Sequence, residues 1–472
     1  MTLAPVTLSA AEIADAVRSG RLSAAEVVQA HLKRIAEVNP AVNAVTVVLA
    51  EQALEAAAGI DAQIARGEQV GPLAGVPISV KENIDCVGSA TTSGMPFAAG
   101  FLPAENATFL QRLIDAGAIP VARGNMPDFG LRWDTDNDLY GRTTNPWDPE
   151  RVPEGSSGGD AVIVATGMAV VGLGNDYGGS LRLPANAAGI TALRPTTGRV
   201  TAPSRRAEPI SMTLQMFATN GPLARSVNDL DLLFAVMHGA DDRDPLSITV
   251  PHPREYGGPR RAAICVDPAG LGVDPVVAGA VRRAADALAA AGWEVEEVDP
   301  PGIVRSTELW EELALVEMIG FFQPGVLPGP LSAGSEAWYT TVNRDVPLLD
   351  TTAAYSAGWG ERLMIAAQWR EFHARYPVVV GPVSTGQTPR VGFDLSGHDA
   401  ARTLVREHRL TVTVNMLGLP SVAVPTGIVG DRPQGVQVIA STFQDHTALA
   451  AARDIETACG RLTPIDPRAS AA

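Results

Sequence analysis

Apolar and polar positions alternate with helical and extended periods along most of the chain. "TLSAAEIADAVRSG" and "RLSAAEVVQAHLKRIAEVN" each place apolar residues at three- and four-residue spacing behind a Ser-x-x-Glu start. Ser9 with Glu12, and Ser23 with Glu26, read as capping boxes. Gly20 is expected to end the first helix and Asn39-Pro40 the second. "PLAGVPISVKENIDC" holds a short β-branched run that leads to Lys81. A helix around 105–117 and a strand at "AIPVAR" follow. Residues 126–153 are too polar and too rich in Pro, Asp and Asn for regular structure, and a loop of that length is usually functional. Residues 158–168 suit a buried helix entered through glycines, and 169–174 a short buried strand. The alternation continues through "RAAICV", "PVVAGAVRRAADALAAAGW", "EVEEV", "YPVVVGP", "PSVAVPTG" and "GVQVIAS" to a last helix from about Thr447. Such a pattern predicts an α/β fold, a large mixed twisted β-sheet flanked by helices on both faces. Residues 300–360, with "FFQPGVLPGPLSAGSEAW", break the rhythm and are expected to be less regular. With no convincing linker, the expectation is one domain over 1–472. It would comprise N-terminal helices at about 8–38, a motif-bearing core at about 70–245 and a less regular substrate-side region at about 300–400.

Composition adds exclusions. The chain has 472 residues, 46% hydrophobic and 19% charged, with a net charge of −16. That charge argues against nucleic acid or an anionic membrane as the main partner. Cys86, Cys265 and Cys459 are far apart and odd in number, so neither a disulfide framework nor a CxxC metal site is indicated. No charged-then-apolar leader opens the chain, and no run of about 18 apolar residues is present. A reduced, cytoplasmic protein is expected. There is no HExxH, no Walker A sequence, no GxGxxG and no cluster of histidines. The expectation is no metal and no cofactor. The cations are almost all arginine; the only lysines are Lys33 and Lys81. Arginine keeps its proton, whereas a buried lysine can lose it. Lys33 lies on a polar helix face and reads as a chance survivor; for Lys81 the surroundings decide whether it serves as a base.

"GNDYGGSLRLPA", residues 174–185, has too many glycines for a helix and too few apolar residues for a core strand. Its glycines let backbone N–H groups converge near Ser180, as an oxyanion site requires. A second glycine-bracketed serine, Ser156, lies in "GSSGG". The same stretch matches G-x-S-x-G at Ser157, the nucleophile elbow, but the elbow needs a strand just before it. "NPWDPERVPE" cannot be a central strand.

"GVPISVKENID", "GSSGGDAVIVATGMAVVGLGNDYGGSLRLPA" and "ALRPTTGRV", in that order and spacing, resemble the amidase signature family. "NGPLARSVNDLDLL" and "NMLGLPSVAVPTG…GVQVIAS" resemble its later landmarks. The resemblance covers most of residues 5–245 and again 400–455. It implies a Ser-cisSer-Lys triad, with Ser180 as nucleophile, Ser156 as the serine held by a cis peptide, and Lys81 as base. The backbone N–H groups of Tyr177, Gly178, Gly179 and Ser180 would then hold the oxyanion. Asp176 and Arg182 also match, as a brace for the loop. Glu154 stands where the family often has glycine, Asn175 where threonine is common, and Tyr177 where a smaller residue is usual. "KEN" replaces the commoner lysine-aspartate. None of these departures is expected to touch the triad; Tyr177 would affect substrate size.

The implied activity is serine hydrolysis of carboxamide C–N bonds through an acyl-enzyme on Ser180, on small aryl or hydrophobic amides. A carbamate or ester hydrolase with the same triad is the alternative. The amidase subunit of a tRNA-dependent amidotransferase is a further one, although "PISMTLQMFATNGPLAR" lacks the serine-rich run associated with it. "FFQPGVLPG", Trp310 and Trp338 hint at an aromatic pocket or at plain core. The expected partner is a small-molecule amide or carbamate, with no nucleic acid and no membrane, and with a homodimer as one arrangement.

Overall fold

The computed structural model describes residues 4–201, 210–253, 255–323 and 325–469. Pro209 and Pro324, within two of the stretches quoted above, and both ends of the expected 1–472 unit lie outside the described residues. The N-terminal part runs α1 (Ala10–Arg18), α2 (Ala24–Val42), β1 (Val45–Val48), α3 (Ala50–Ala65), β2 (Pro77–Lys81), α4 (Thr108–Asp115) and β3 (Ile119–Gly124). After the long loop come α5 (Gly158–Ala165), β4 (Val171–Asp176), α6 (Arg182–Ala188), β5 (Thr191–Arg194), α7 (Met212–Phe217), β6 (Thr219–Ala224) and α8 (Val227–Met237). Then follow β7 (Arg261–Ile264), α9 (Pro275–Ala290), β8 (Glu294–Glu297), α10 (Ile303–Phe321), α11 (Ala333–Val342) and α12 (Thr352–Arg375). The chain closes with β9 (Val378–Gly381), α13 (His398–Glu407), α14 (Arg409–Leu417), β10 (Ser421–Val429), β11 (Arg432–Ala440) and α15 (Asp445–Cys459).

Among the described residues, eleven strands form one mixed sheet in the order β1-β3-β2-β4-β6-β5-β10-β11-β9-β7-β8. Helices cover both faces, and strand alternation shows it. Val422 and Val424 of β10 join the cluster that holds Leu449 and Ile455 of α15. Ala423 between them faces the other way, toward Ala185 of α6. Val378 and Val380 of β9 likewise point to the α15 side, and Val379 toward Leu313 and Trp369 of α10 and α12.

The two capping boxes form as expected. The second helix does not stop at Asn39-Pro40 but runs on to Val42, with Asn43 left-handed at its end. Pro40 removes only its own N–H from the last turn. Asn39 offsets the loss, because its side chain accepts from the N–H groups of Ala44 and Val45 at 2.9 and 2.8 Å. The larger correction concerns 300–360, which is mostly helical: α10, α11 and the start of α12 occupy it. Its inward face includes Glu311 and Glu312, buried beside Arg402 and Arg305, so acids interrupt the apolar rhythm.

What positions the site is the register of β2 and β4. They pair in parallel, Ile78 opposite Val171 and Val80 opposite Leu173, so both strands end at the same edge. Ligand sites in open α/β sheets lie outside such carboxyl ends.

Candidate active site

Lys81, the last residue of β2, is fully buried. Its Nζ lies 2.7 Å from Ser156 Oγ, 3.0 Å from Ser157 Oγ and 2.8 Å from Asn175 Oδ1. The two serines precede α5, and the Gly155–Ser156 peptide is cis. Burial draws the lysine pKa down to about 7, against the pull of the Asp160 and Asp176 carboxylates. The shift favours the unprotonated amine, the form able to take a proton.

Ser180 lies between β4 and α6 and is 6% exposed. Its carbonyl accepts from the Ser157 N–H at 3.2 Å, which ties the two serine loops together. The intervening loop is clamped from outside. Trp310 Nε1 donates to the Tyr177 carbonyl at 3.3 Å, and Trp133 Nε1 to the Gly178 carbonyl at 2.9 Å. In a trans peptide the N–H points opposite the C=O, so holding the Tyr177 carbonyl turns the Gly178 N–H away from Trp310. Gly179 differs from the expected arrangement, because its N–H donates to Asp176 Oδ1 at 2.8 Å. A Cβ on Gly178 would sit 2.9 Å from the Trp310 ring. Gly179 has φ +101°, and a Cβ there would lie 2.5 Å from Thr411 Cγ2.

Asp176 and Arg182 brace this loop as the motif suggested. Arg182 Nε and Nη2 donate to the Asp176 carboxylate at 3.0 and 3.1 Å, and Asn415 Nδ2 adds a bond at 2.8 Å. Burial alone would raise the Asp176 pKa, but the Arg182 and Arg194 guanidiniums hold it well below the usual carboxylate range. Tyr177 turns its side chain into the protein, donates to Thr213 Oγ1 at 3.0 Å and packs against Phe217 and Trp310.

The departures from the motif have structural partners. Glu154 is buried with φ +61°, the left-handed region that glycine adopts freely. Burial, reinforced by the Asp134 carboxylate, pushes its carboxyl well above the usual range. Glu82 is buried and accepts from Thr92 Oγ1 at 2.5 Å and from the Thr46 hydroxyl. Asn175 requires a correction: it was expected to stand clear of the triad, yet it contacts Lys81 directly. Sequence reasoning also missed Trp133, which only its place in the long loop could have signalled. It missed Gly130 as well, where a Cβ would come within 2.9 Å of Ser156 Oγ. Trp310 belongs to the loop clamp, while Trp338 is buried edge-on to Trp133. Among the described residues no group of three or more His, Cys, Asp or Glu is placed to hold a metal ion, and no helix is long and apolar enough to cross a membrane.

One large mixed sheet covered by helices on both faces is the fold of solved amidase signature structures. Residues 26–449 match the amidase family, and the chain belongs to it. The chain is 38% identical to an indoleacetamide hydrolase of Bradyrhizobium diazoefficiens, over 96% of this chain and 87% of the relative. It is 34% identical to a glutamyl-tRNA(Gln) amidotransferase subunit of Salinispora arenicola, over 97% and 98% of the two chains. The crystal structure of a bacterial aryl acylamidase of the amidase signature family superposes with a TM-score of 0.82 at 26% identity, covering 97% of this chain and 96% of that one. The protein is an amide-hydrolysing enzyme.

Proposed function

We propose that this amidase hydrolyses small carboxamides with an aryl or otherwise apolar substituent, through an acyl-enzyme on Ser180. The observation that carries the reading is the contact between the buried Lys81 amine and the Ser156 hydroxyl. Neutral Lys81 takes the Ser156 proton as Ser156 takes that of Ser180, and Ser180 Oγ attacks the amide carbonyl. The N–H groups of Tyr177, Gly178 and Ser180 receive the oxyanion; that of Gly179 is held by Asp176. Ser156 then protonates the departing nitrogen, the C–N bond breaks, and water releases the carboxylate by the same path reversed.

The apolar preference rests on an aromatic group that begins next to Gly130, the glycine packed against Ser156 Oγ. Phe129 adjoins Gly130, and its ring lies 6.1 Å from Phe97 and 5.5 Å from Phe321. Phe97 and Phe321 are 37% and 44% exposed, leaving apolar surface for a substrate to cover. The likeness to the indoleacetamide hydrolase and the aryl acylamidase supports the same class.

The test is a hydrolysis screen of the chain alone over aryl amides, aliphatic amides, carbamates and esters, with a fluorophosphonate as trap. Turnover of aryl amides without partner chains and a mass adduct on Ser180 are expected. Lys81→Arg should be nearly as inactive as Lys81→Ala, because a guanidinium cannot accept the serine proton. An adduct on Ser157, or substantial activity in Lys81→Arg, would overturn the assignment.

A further inference from the structure

The three groups around the Lys81 amine are not equivalent. A neutral amine has two N–H bonds and one lone pair, and the lone pair must face the proton to be taken. Asn175 Oδ1, at 2.8 Å, can only accept. Its orientation is fixed by a reciprocal amide pair: Asn175 Nδ2 donates to Asn83 Oδ1 at 2.9 Å, and Asn83 Nδ2 to Asn175 Oδ1 at 3.3 Å. With the oxygen turned inward, Asn175 suits the amine in both protonation states, since each offers it an N–H. Ser157 has its own acceptor, the Asn175 main-chain carbonyl at 3.4 Å, leaving its oxygen to receive the second N–H. The nearest remaining neighbour is Ser156, at 2.7 Å.

We infer that Asn175 is a positioning residue of this active site: with Ser157 it engages the two N–H groups of neutral Lys81 and leaves the lone pair to the Ser156 hydroxyl. The inference rests on the triad proposed above. A hydroxyl at position 175 could donate as well as accept, and would compete for the lone pair. The titratable and charged groups around the amine are Asp160 of α5, its pKa raised by burial and its carboxyl accepting from Ser79 Oγ at 2.6 Å, Asp176 at the end of β4, Arg123 of β3 and the adjoining Glu82. Substitution at 175 leaves all of them in place.

The test is the pH dependence of Ser180 labelling by a fluorophosphonate, which does not depend on the substrate class. In the wild type the rate should rise with pH through an ascending limb set by Lys81. Asn175→Asp places a carboxylate beside the amine and should move that limb up by about one to three pH units. Asn175→Leu removes the acceptor, so it should move the limb down and slow labelling about tenfold or more. A merely structural residue would lower the amount of folded protein, followed by thermal melting, without moving the limb in opposite directions. A limb that vanishes in Lys81→Met but stays fixed in both Asn175 variants overturns this inference alone. A limb unchanged in Lys81→Met overturns the triad, and this inference with it.

Discussion

Ser156 and Ser157 lie 2.7 and 3.0 Å from the same amine, and their hydrogens distinguish them. The Ser157 hydroxyl has the Asn175 carbonyl as acceptor, whereas the Ser156 hydroxyl faces Lys81. Ser156→Ala should therefore cost about 10²–10⁴-fold in amide turnover, and Ser157→Ala distinctly less. The Ser156→Ala loss should be smaller on p-nitrophenyl esters, whose leaving group departs without protonation. The ratio of amide to ester activity reads this directly; an unchanged ratio would remove Ser156 as the acid for the leaving group. At this scale the sequence was informative where a residue type was unusual for its surroundings: two serines among glycines and a lysine in an arginine-rich chain. It misplaced Asn175, which marks a departure from the motif but whose contact with Lys81 depends on the parallel register of β2 and β4.

At the scale of elements, the turn from β4 into α6 is shaped by indoles that reach it from the long loop and from α10. Removing the Trp133 donor while keeping most of the ring, as in Trp133→Phe, should lower kcat about three- to tenfold, the worth of one hydrogen bond. Little change in melting temperature is expected. An equal loss in kcat and in stability would show that Trp133 acts as core alone. The elements around this turn were legible because β2, α5 and β4 are short, apolar and bounded by glycine. α12 was not: its buried residues Gly358, Ile365, Trp369 and His373 are sparse over 24 positions, while Leu363 and Met364 are exposed. The tryptophan clamp was equally hidden, since Trp133 and Trp310 are 177 positions apart, the first in a polar loop and the second open to a reading as pocket or plain core.

Over the whole molecule, Asp176 and Arg182 join distant parts of the chain. Arg182 also donates to Gln437 of β11 at 2.7 Å and to the Asn415 side chain of α14 at 2.6 Å, so the Ser180 loop is fastened to the C-terminal part of the chain. Because the folded Asp176 carboxyl sits below its unfolded value near 3.9, its contribution is full above that pH and fades as pH falls through the folded value. Asp176→Asn should cost about 3–5 kcal/mol at neutral pH, leaving Arg182 buried and underpaired. The gap from wild type should narrow below about pH 4, as denaturant unfolding at a series of pH values would show; a gap independent of pH would discount the charge. The lysines carry a different consequence. Lys81 is sealed inside, and Lys33 stands on the outer side of α2 with its side chain 78% exposed. Of the two lysine side chains, amine-directed coupling would thus reach Lys33 and leave the Lys81 amine untouched, so a label or support attached through lysine would sit on the outer side of α2.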